Sequence, residues 1–377
     1  MALLIDEFFG GAGTAYGGYG FLARKYIAKY IPDKHISIDV LLGKGKKQLT
    51  ATKYHEDNVD LYYLPKKHFA SKLWLQKQNY DIYLSIELTS DWVLRHETNP
   101  NKKLILWIQD PRPRYEWDEI ETVKLFKEKN YYNQNIYDLV HDWAVHKKVK
   151  FISQGYFLNQ KAKDLYQLEG NVDIEYLPNP IDIEANFDVL NYNKKENIIF
   201  LGRIESVKRG WLFCEIARMM PEYNFYVLGQ SFREKDKNDS IMSKYKNIPN
   251  LHFVGHVDGK EKAQYLKDAK ILVNTSIHEV LPISFLEALS YGVCIVSNRN
   301  SESLTSKFGV WTGQINGDGF DKIDLYINAI KSLMSDEKTR KKLAISGHKY
   351  VEQIHNVDNF IDNLRRIIYE EIQNERD

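Results

Sequence analysis

Cysteine is scarce in this chain: two residues, Cys214 and Cys294, among 377. Both sit in apolar surroundings, which suits buried thiols in a reducing compartment and argues against a disulfide framework or a cysteine metal cluster. Long hydrophobic runs are also missing. The apolar stretches are strand-sized, so no transmembrane helix is expected. The opening MALLIDEFF lacks the basic lead and long apolar core of a signal peptide, and a cytoplasmic protein is the expectation. Charge of one sign is missing too: the net charge is +1, which argues against a dedicated nucleic-acid binder. Repeats and low-complexity segments are absent. What remains is ordinary globular composition, 43% hydrophobic and 27% charged, at a length that suggests two domains.

Short apolar runs alternate with helix-like spacing throughout, the pattern of parallel β/α/β units. In the first half, runs near the N-terminus and at 35–42, 59–64, 80–86, 104–108, 149–153 and 172–177 read as strands. Pro178-Asn179-Pro180 breaks both periodicities and marks a boundary. A second series follows, with strands at 198–201, 225–228, 251–254, 271–273 and 294–296. The expected architecture is therefore α/β, with two Rossmann-like domains over 1–182 and 183–355. A final helix at 356–377 is expected to pack back on the first domain. Its apolar face, Phe360, Leu364, Ile367 and Ile368, reads as core packing.

The stretch ILVNTSIHEVLPISFLEALSYGVCIVS, 271–297, carries the densest chemistry. A buried strand ends in polar Asn274, Thr275 and Ser276, and Glu279 follows in the loop. Pro282 suits a helix start, and Glu287 falls in the second helical turn. Two carboxylates eight positions apart thus flank a helix N-terminus at the end of a parallel strand, where open α/β sheets bind ligands. The helix start offers N–H groups to an anion, and a carboxylate accepts hydrogen bonds from a diol. Upstream, the strand 198–201 runs into Gly202-Arg203-Ile204-Glu205-Ser206-Val207-Lys208. Arg203 and Lys208 are placed to neutralise a diphosphate; the bland alternative is a solvated surface loop. The lysine clusters Lys44/Lys46/Lys47, Lys66/Lys67 and Lys102/Lys103 read first as a solvated surface, with attraction to anionic lipid as the minority reading.

The set G-R-x-x-x-x-K, then E-x7-E with a proline between, followed by A-L-x-x-G, resembles the retaining GT-B glycosyltransferases of family four. Gly17-Gly18 in the first loop and YLPNPID at 176–182 agree with that resemblance. It implies two domains facing across a cleft and a nucleoside diphosphate sugar as donor. Arg203 and Lys208 would bind the diphosphate and stabilise its developing charge, and Glu287 would accept hydrogen bonds from the ribose. Glu279 would hold the transferred sugar. The backbone of Gly202, Val280, Leu281, Ile283 and Ser284 would line the donor, and Gly17 and Gly18 would let the first-domain backbone approach it. No cofactor or metal is implied. The acceptor would be a saccharide or a lipid-linked phosphate, with peripheral membrane contact as a secondary expectation. The oligomeric state is left open.

One departure concerns the first domain. Many members of that family place His-Asp after the strand that here reads LILWI, whereas this chain has Gln109-Asp110. Gln109 can donate and accept hydrogen bonds but cannot serve as a base. Asp110 is carried as a catalytic candidate, and Gln109, Arg112 and Arg114 as acceptor-side candidates. Both Gln109 and Asp110 could instead only brace the turn. Rival functions are a nucleotide-sugar epimerase on the same fold, a non-catalytic partner that keeps the fold for assembly, and an NAD-dependent oxidoreductase. For the last, Gly18-Tyr19-Gly20-Phe21-Leu22-Ala23 fits G-x-G-x-x-A, but about ten residues past the first strand.

Overall fold

The computed structural model describes residues 1–88 and 91–373. They form two compact units. Met1–Pro113, Tyr132–Pro180 and the helix Val357–Gln373 make the first, and Arg114–Tyr131 with Ile181–Asn356 makes the second.

The first unit is built on eight strands: β1 (Ala2–Leu4), β2 (Asp39–Lys44), β3 (Thr52–Glu56), β4 (Val59–Leu64), β5 (Ile82–Ile86), β6 (Lys103–Ile108), β7 (Val149–Ser153) and β8 (Ile174–Tyr176). Their order is β3-β4-β2-β1-β5-β6-β7-β8. All neighbours are parallel except β3, which pairs antiparallel to β4 with Tyr54 opposite Leu61. Strands covered on both faces read as nearly continuous apolar runs, and β5 is buried at every position. β3 (TKYHE) is largely exposed; its polar composition is why no strand was expected there. The helix Val357–Gln373 buries Phe360, Leu364, Ile367 and Ile368. Phe360 stacks on Trp107 of β6 at 5.3 Å between ring centroids. The apolar face read as core packing is core packing of the first unit.

The second unit has six parallel strands: β9 (Asn197–Leu201), β10 (Asn224–Leu228), β11 (Leu251–Gly255), β12 (Ala269–Asn274), β13 (Cys294–Ser297) and β14 (Gly309–Trp311). The order is β11-β10-β9-β12-β13-β14. Counted from β9 this is 3-2-1-4-5-6, the doubly wound order whose direction of winding reverses between the first and fourth strands. β14, two half-covered residues and the exposed Trp311 at the sheet edge, is not an element the sequence pattern predicts. Trp211, Leu212, Phe213 and Ile216 of the helix Gly210–Met219 enter the core beside Ile198 and Phe200 of β9. Each large side chain so buried contributes about 1.5–3 kcal/mol.

The segment Arg114–Tyr131 lies within the span expected for the first domain yet packs with the second unit. Ile120, Val123 and Phe126 belong to the second core. Asp318 accepts from the backbone N–H of Lys124 and Leu125 at 2.8 and 2.9 Å. This strap also reaches the loop after β9: Ser206 Oγ donates to Phe126 O, and Val207 N–H to Glu128 Oε2 at 3.3 Å. A short, mixed apolar and charged segment carries no sequence signal for which unit it will cover.

Candidate functional site

In the second unit, β9 and β12 are neighbours, and the loops leaving their carboxyl ends meet. Ile277 N–H donates to Val207 O at 2.9 Å. Thr275 Oγ1 donates to Lys208 O at 2.9 Å. Arg209 locks the two loops together. It is fully buried, has a left-handed backbone (φ 47°), and donates through Nε to Thr275 O at 2.7 Å and through Nη2 to Ser276 O at 3.3 Å. Its Nη1 reaches the carbonyls of Ile315 and Gly317 at 3.0 and 2.8 Å. Burial lowers its pKa to about 10, which leaves it charged at neutral pH. A buried arginine spent on carbonyls cannot be told from an exposed one by composition, so sequence reasoning missed it.

This scaffold places Lys208 against Glu279, with Nζ 2.5 Å from Oε1. Ser276 Oγ and Asn274 Nδ2 donate to the same carboxylate oxygen at 2.6 and 3.0 Å. Burial alone would raise the Glu279 pKa. The Lys208 charge and the hydrogen bonds from Lys208, Ser276 and Asn274 outweigh it and hold the carboxylate below its ordinary value. Lys208 keeps 22% of its side chain exposed and Glu279 only 9%. The pair is therefore a charged couple with one open side. Strap residue Glu116 brings a carboxylate oxygen to 3.9 Å from Nδ1 of buried His278.

Arg203, at the mouth of the same loop, lies 3.5 Å from the buried Glu205. Glu128 of the strap stands close by. Burial and the Glu205 charge push its pKa up, against the N–H of Val207 and the charges of Arg233 and Arg203. Gly202 leaves β9 with its N–H bonded to Leu228 O at 3.0 Å. Its neighbour Gly229 is the position that admits no side chain, since a Cβ there would run into Gly202 O.

The helix Ile283–Ser290 starts directly after Pro282, which is its N-cap. Val280 and Leu281 are buried in the approach, Ser284 is half-covered, and Glu287 falls in the second turn. Glu287 is paired: Lys262 of the helix Gly259–Asp268 places Nζ 2.6 Å from Oε1. Asp258 lies 3.5 Å from the same ammonium. Burial opposes the charge on Lys262, but Glu287 and Asp258 together raise its pKa. Nothing in the spacing of Lys262, 25 residues before Glu287, announces this pair.

The expected residues of the first unit gather at the matching place, where β1 and β5 are neighbours and β6 follows. Glu87, buried and with φ 46°, accepts the N–H groups of Gln109 and Asp110 on Oε2 at 3.0 and 2.6 Å. Tyr166 donates to its Oε1 at 2.6 Å. Burial raises the Glu87 pKa despite these donors. Gln109 is held in an amide network. Its Nε2 donates to Asn179 Oδ1 at 2.9 Å, Asn179 Nδ2 returns a bond at 3.1 Å, and Gln154 Nε2 reaches Gln109 O at 2.6 Å. At 2% exposure, Gln109 braces the turn. Asp110 forms an ion pair with Arg112, and Arg112 O accepts from Tyr137 at 3.1 Å. Arg114 is exposed at the start of the strap helix in the second unit. Gly17 faces Glu7, whose carboxylate occupies the space a Cβ would need. Gly18 and Gly20 lie inside the helix Gly18–Leu22, where no dinucleotide turn can form, so the G-x-G-x-x-A match carries no cofactor reading.

Residues 182–350 match the family described as Glycosyl transferases group 1. The matched residues lie within the second unit. Among solved structures, the chain is similar to sucrose-phosphate synthase from Thermosynechococcus elongatus, at 14% identity and TM-score 0.74 over 98% of both chains. It is similar to Anabaena HepE, solved in complex with UDP and glucose, at 12% identity and TM-score 0.67 over 98% of both chains. WaaG, a glycosyltransferase involved in lipopolysaccharide biosynthesis, matches at 13% identity and TM-score 0.65 over 97% of this chain and 99% of its own. At such identities the likeness establishes the fold, which is GT-B. No curated sequence matches the chain. The matched span contains every charged residue of the second-unit site except strap residues Glu116 and Glu128.

Proposed function

We propose that this chain is a retaining glycosyltransferase that moves a hexose-type sugar from a nucleoside diphosphate sugar to an acceptor hydroxyl. The observation that carries the reading is the Lys208–Glu279 couple at 2.5 Å, set where the winding of the sheet reverses. A donor entering there exchanges one set of partners for another. Lys208 passes from Glu279 to the diphosphate, and the freed carboxylate of Glu279 accepts hydrogen bonds from the sugar. Lys208 and Arg203 then neutralise charge on the leaving phosphate as the glycosidic bond breaks, the kind of contact that supplies much of a transition state's stabilisation. Glu287 keeps one oxygen on Lys262 and offers the other to the ribose hydroxyls.

Retention is supported by what the first unit lacks at Gln109. A side-chain amide held by Asn179 removes no proton. In a front-face displacement none is needed, because the departing phosphate oxygen takes the acceptor proton. Asp110, tied to Arg112, is the acidic group beside that turn and the candidate to orient the acceptor hydroxyl. The acceptor is a saccharide or a lipid-linked phosphate, and the work belongs to surface polysaccharide or glycoconjugate assembly in the cytoplasm. The test is incubation with a panel of UDP-, GDP-, ADP- and CMP-sugars, reading released nucleotide with and without acceptor. Release from one nucleotide sugar, with the product's anomeric configuration retained by NMR, is expected. An inverted product would overturn retention, and interconversion of the donor sugar without acceptor would favour an epimerase.

A further inference from the structure

We propose that the outer edge of the first unit is a docking face for an anionic lipid surface. Two stretches of chain meet there. The loop after β2 is bonded to the segment after β4, with Lys66 N–H donating to Lys47 O at 2.7 Å and Lys67 N–H to Gln48 O at 2.9 Å. From this junction Leu49 projects with 60% of its surface exposed. The helix His68–Gln78 follows directly. Its Phe69 and Leu73, one turn apart, are 58% and 61% exposed. On a helix, positions four apart lie on one face, so the two form a short outward apolar stripe.

The charge carried by these two stretches has one sign. Lys46, Lys47, Lys66, Lys67, Lys72 and Lys77 are all exposed. Residues 40–55 and 61–80 contain no aspartate or glutamate, in a chain whose net charge is only +1. The protein's near-neutrality therefore hides a local concentration of positive charge around three exposed apolar side chains. Exposed apolar groups clustered in this way mark interaction surfaces. The pairing with lysine selects among partners. A second copy of the same face would set lysines against lysines. A nucleic acid would use the charge but leave Leu49, Phe69 and Leu73 in water. A lipid surface bearing anionic headgroups satisfies both, with lysines at the phosphates and apolar side chains in the headgroup boundary. None of these residues belongs to the donor site, and the inference stands or falls independently of the proposed reaction.

Co-sedimentation of the full chain with vesicles tests it, comparing phosphatidylcholine alone with phosphatidylcholine containing about one-third phosphatidylglycerol. Binding to the anionic vesicles only, weakened by added salt, is expected. Lys66→Glu/Lys67→Glu should lower the partition coefficient about tenfold or more. Phe69→Ser/Leu73→Ser should lower the binding that persists at high salt. Both variants alter exposed side chains and should melt like the wild type. Equal binding to both vesicle types, no binding, or binding unchanged in both variants would overturn the proposal. So would a concentration-dependent dimer in sedimentation velocity that Phe69→Ser/Leu73→Ser abolishes.

Discussion

The two sheets share a winding order around their first strands, and their carboxyl ends are built differently. In the second unit that end holds ion pairs with an open side, Lys208 with Glu279 and Lys262 with Glu287. In the first, beside the Asp110–Arg112 ion pair, it holds a closed network in which Glu87 grips two backbone N–H groups and Gln109, Asn179 and Gln154 satisfy one another. Topology decides where a site can be; the side chains decide whether the place is kept reactive or braced. Partners that can be exchanged for a ligand's phosphates make a binding site. Amides that already satisfy one another make a scaffold.

The sharpest way to break this contrast is at Lys208. Lys208→Ala should cut turnover by roughly 10²–10³, measured as released nucleotide under saturating donor. It also strands Glu279; removing one partner of a buried pair costs about 3–5 kcal/mol when both are desolvated, and less here because Lys208 is 22% exposed. Wild-type turnover would remove Lys208 from the chemistry. On the braced side, Asn179→Ala leaves Gln109 and Gln154 without their shared partner, which should lower stability by about 1–3 kcal/mol. Chemical denaturation reads that loss, and nucleotide affinity should stay at the wild-type level. A large loss of affinity with unchanged stability would make the network part of the site.

A smaller effect is expected at the ribose end. Lys262→Met should weaken nucleoside diphosphate binding by about tenfold, since a charge-assisted contact is worth roughly 1.5–3 kcal/mol and only its positioning partner is lost. Calorimetry with UDP and 2′-deoxy-UDP sharpens this: a positioning role predicts that the ribonucleotide suffers more. Equal losses would mean that Lys262 serves the fold alone. The mildest test is acid. The Glu279 pKa is held below its ordinary 4.5, so its stabilising contribution is complete above that value and is lost as pH falls through the lower, folded-state pKa. The melting temperature of the wild type should therefore fall more steeply below about pH 4.5 than that of Glu279→Gln. Parallel curves would show the carboxylate to be unperturbed.

Much of the fold was legible because buried parallel strands write themselves as apolar runs, as IYLSI of β5 and CIVS of β13 do. What was not legible had physical reasons. β3 is a polar edge strand whose pairing with β4 comes from a hairpin rather than from burial. The strap Arg114–Tyr131 changes units through three apolar anchors, Ile120, Val123 and Phe126, too few to give a period. In the candidate site, the motif points to Arg203, Lys208, Glu279 and Glu287, and the structure places them on loops and a helix that follow strands of the second sheet. It does not point to those that hold them, because Arg209 and Lys262 act through contacts between elements distant in sequence. Gln109 shows the reverse. Its place after a strand suggested function, and its partners Asn179 and Gln154 give it structure.

We propose that the carboxyl end of the second sheet binds a nucleoside diphosphate. Thermal shift of the wild type, Glu287→Ala and Asn179→Ala against UDP, GDP, ADP, CMP and NAD tests it most directly. One nucleoside diphosphate should stabilise the wild type and Asn179→Ala alike, with the shift largely lost in Glu287→Ala. Stabilisation by NAD alone, or a shift that Glu287→Ala retains in full, would contradict the account.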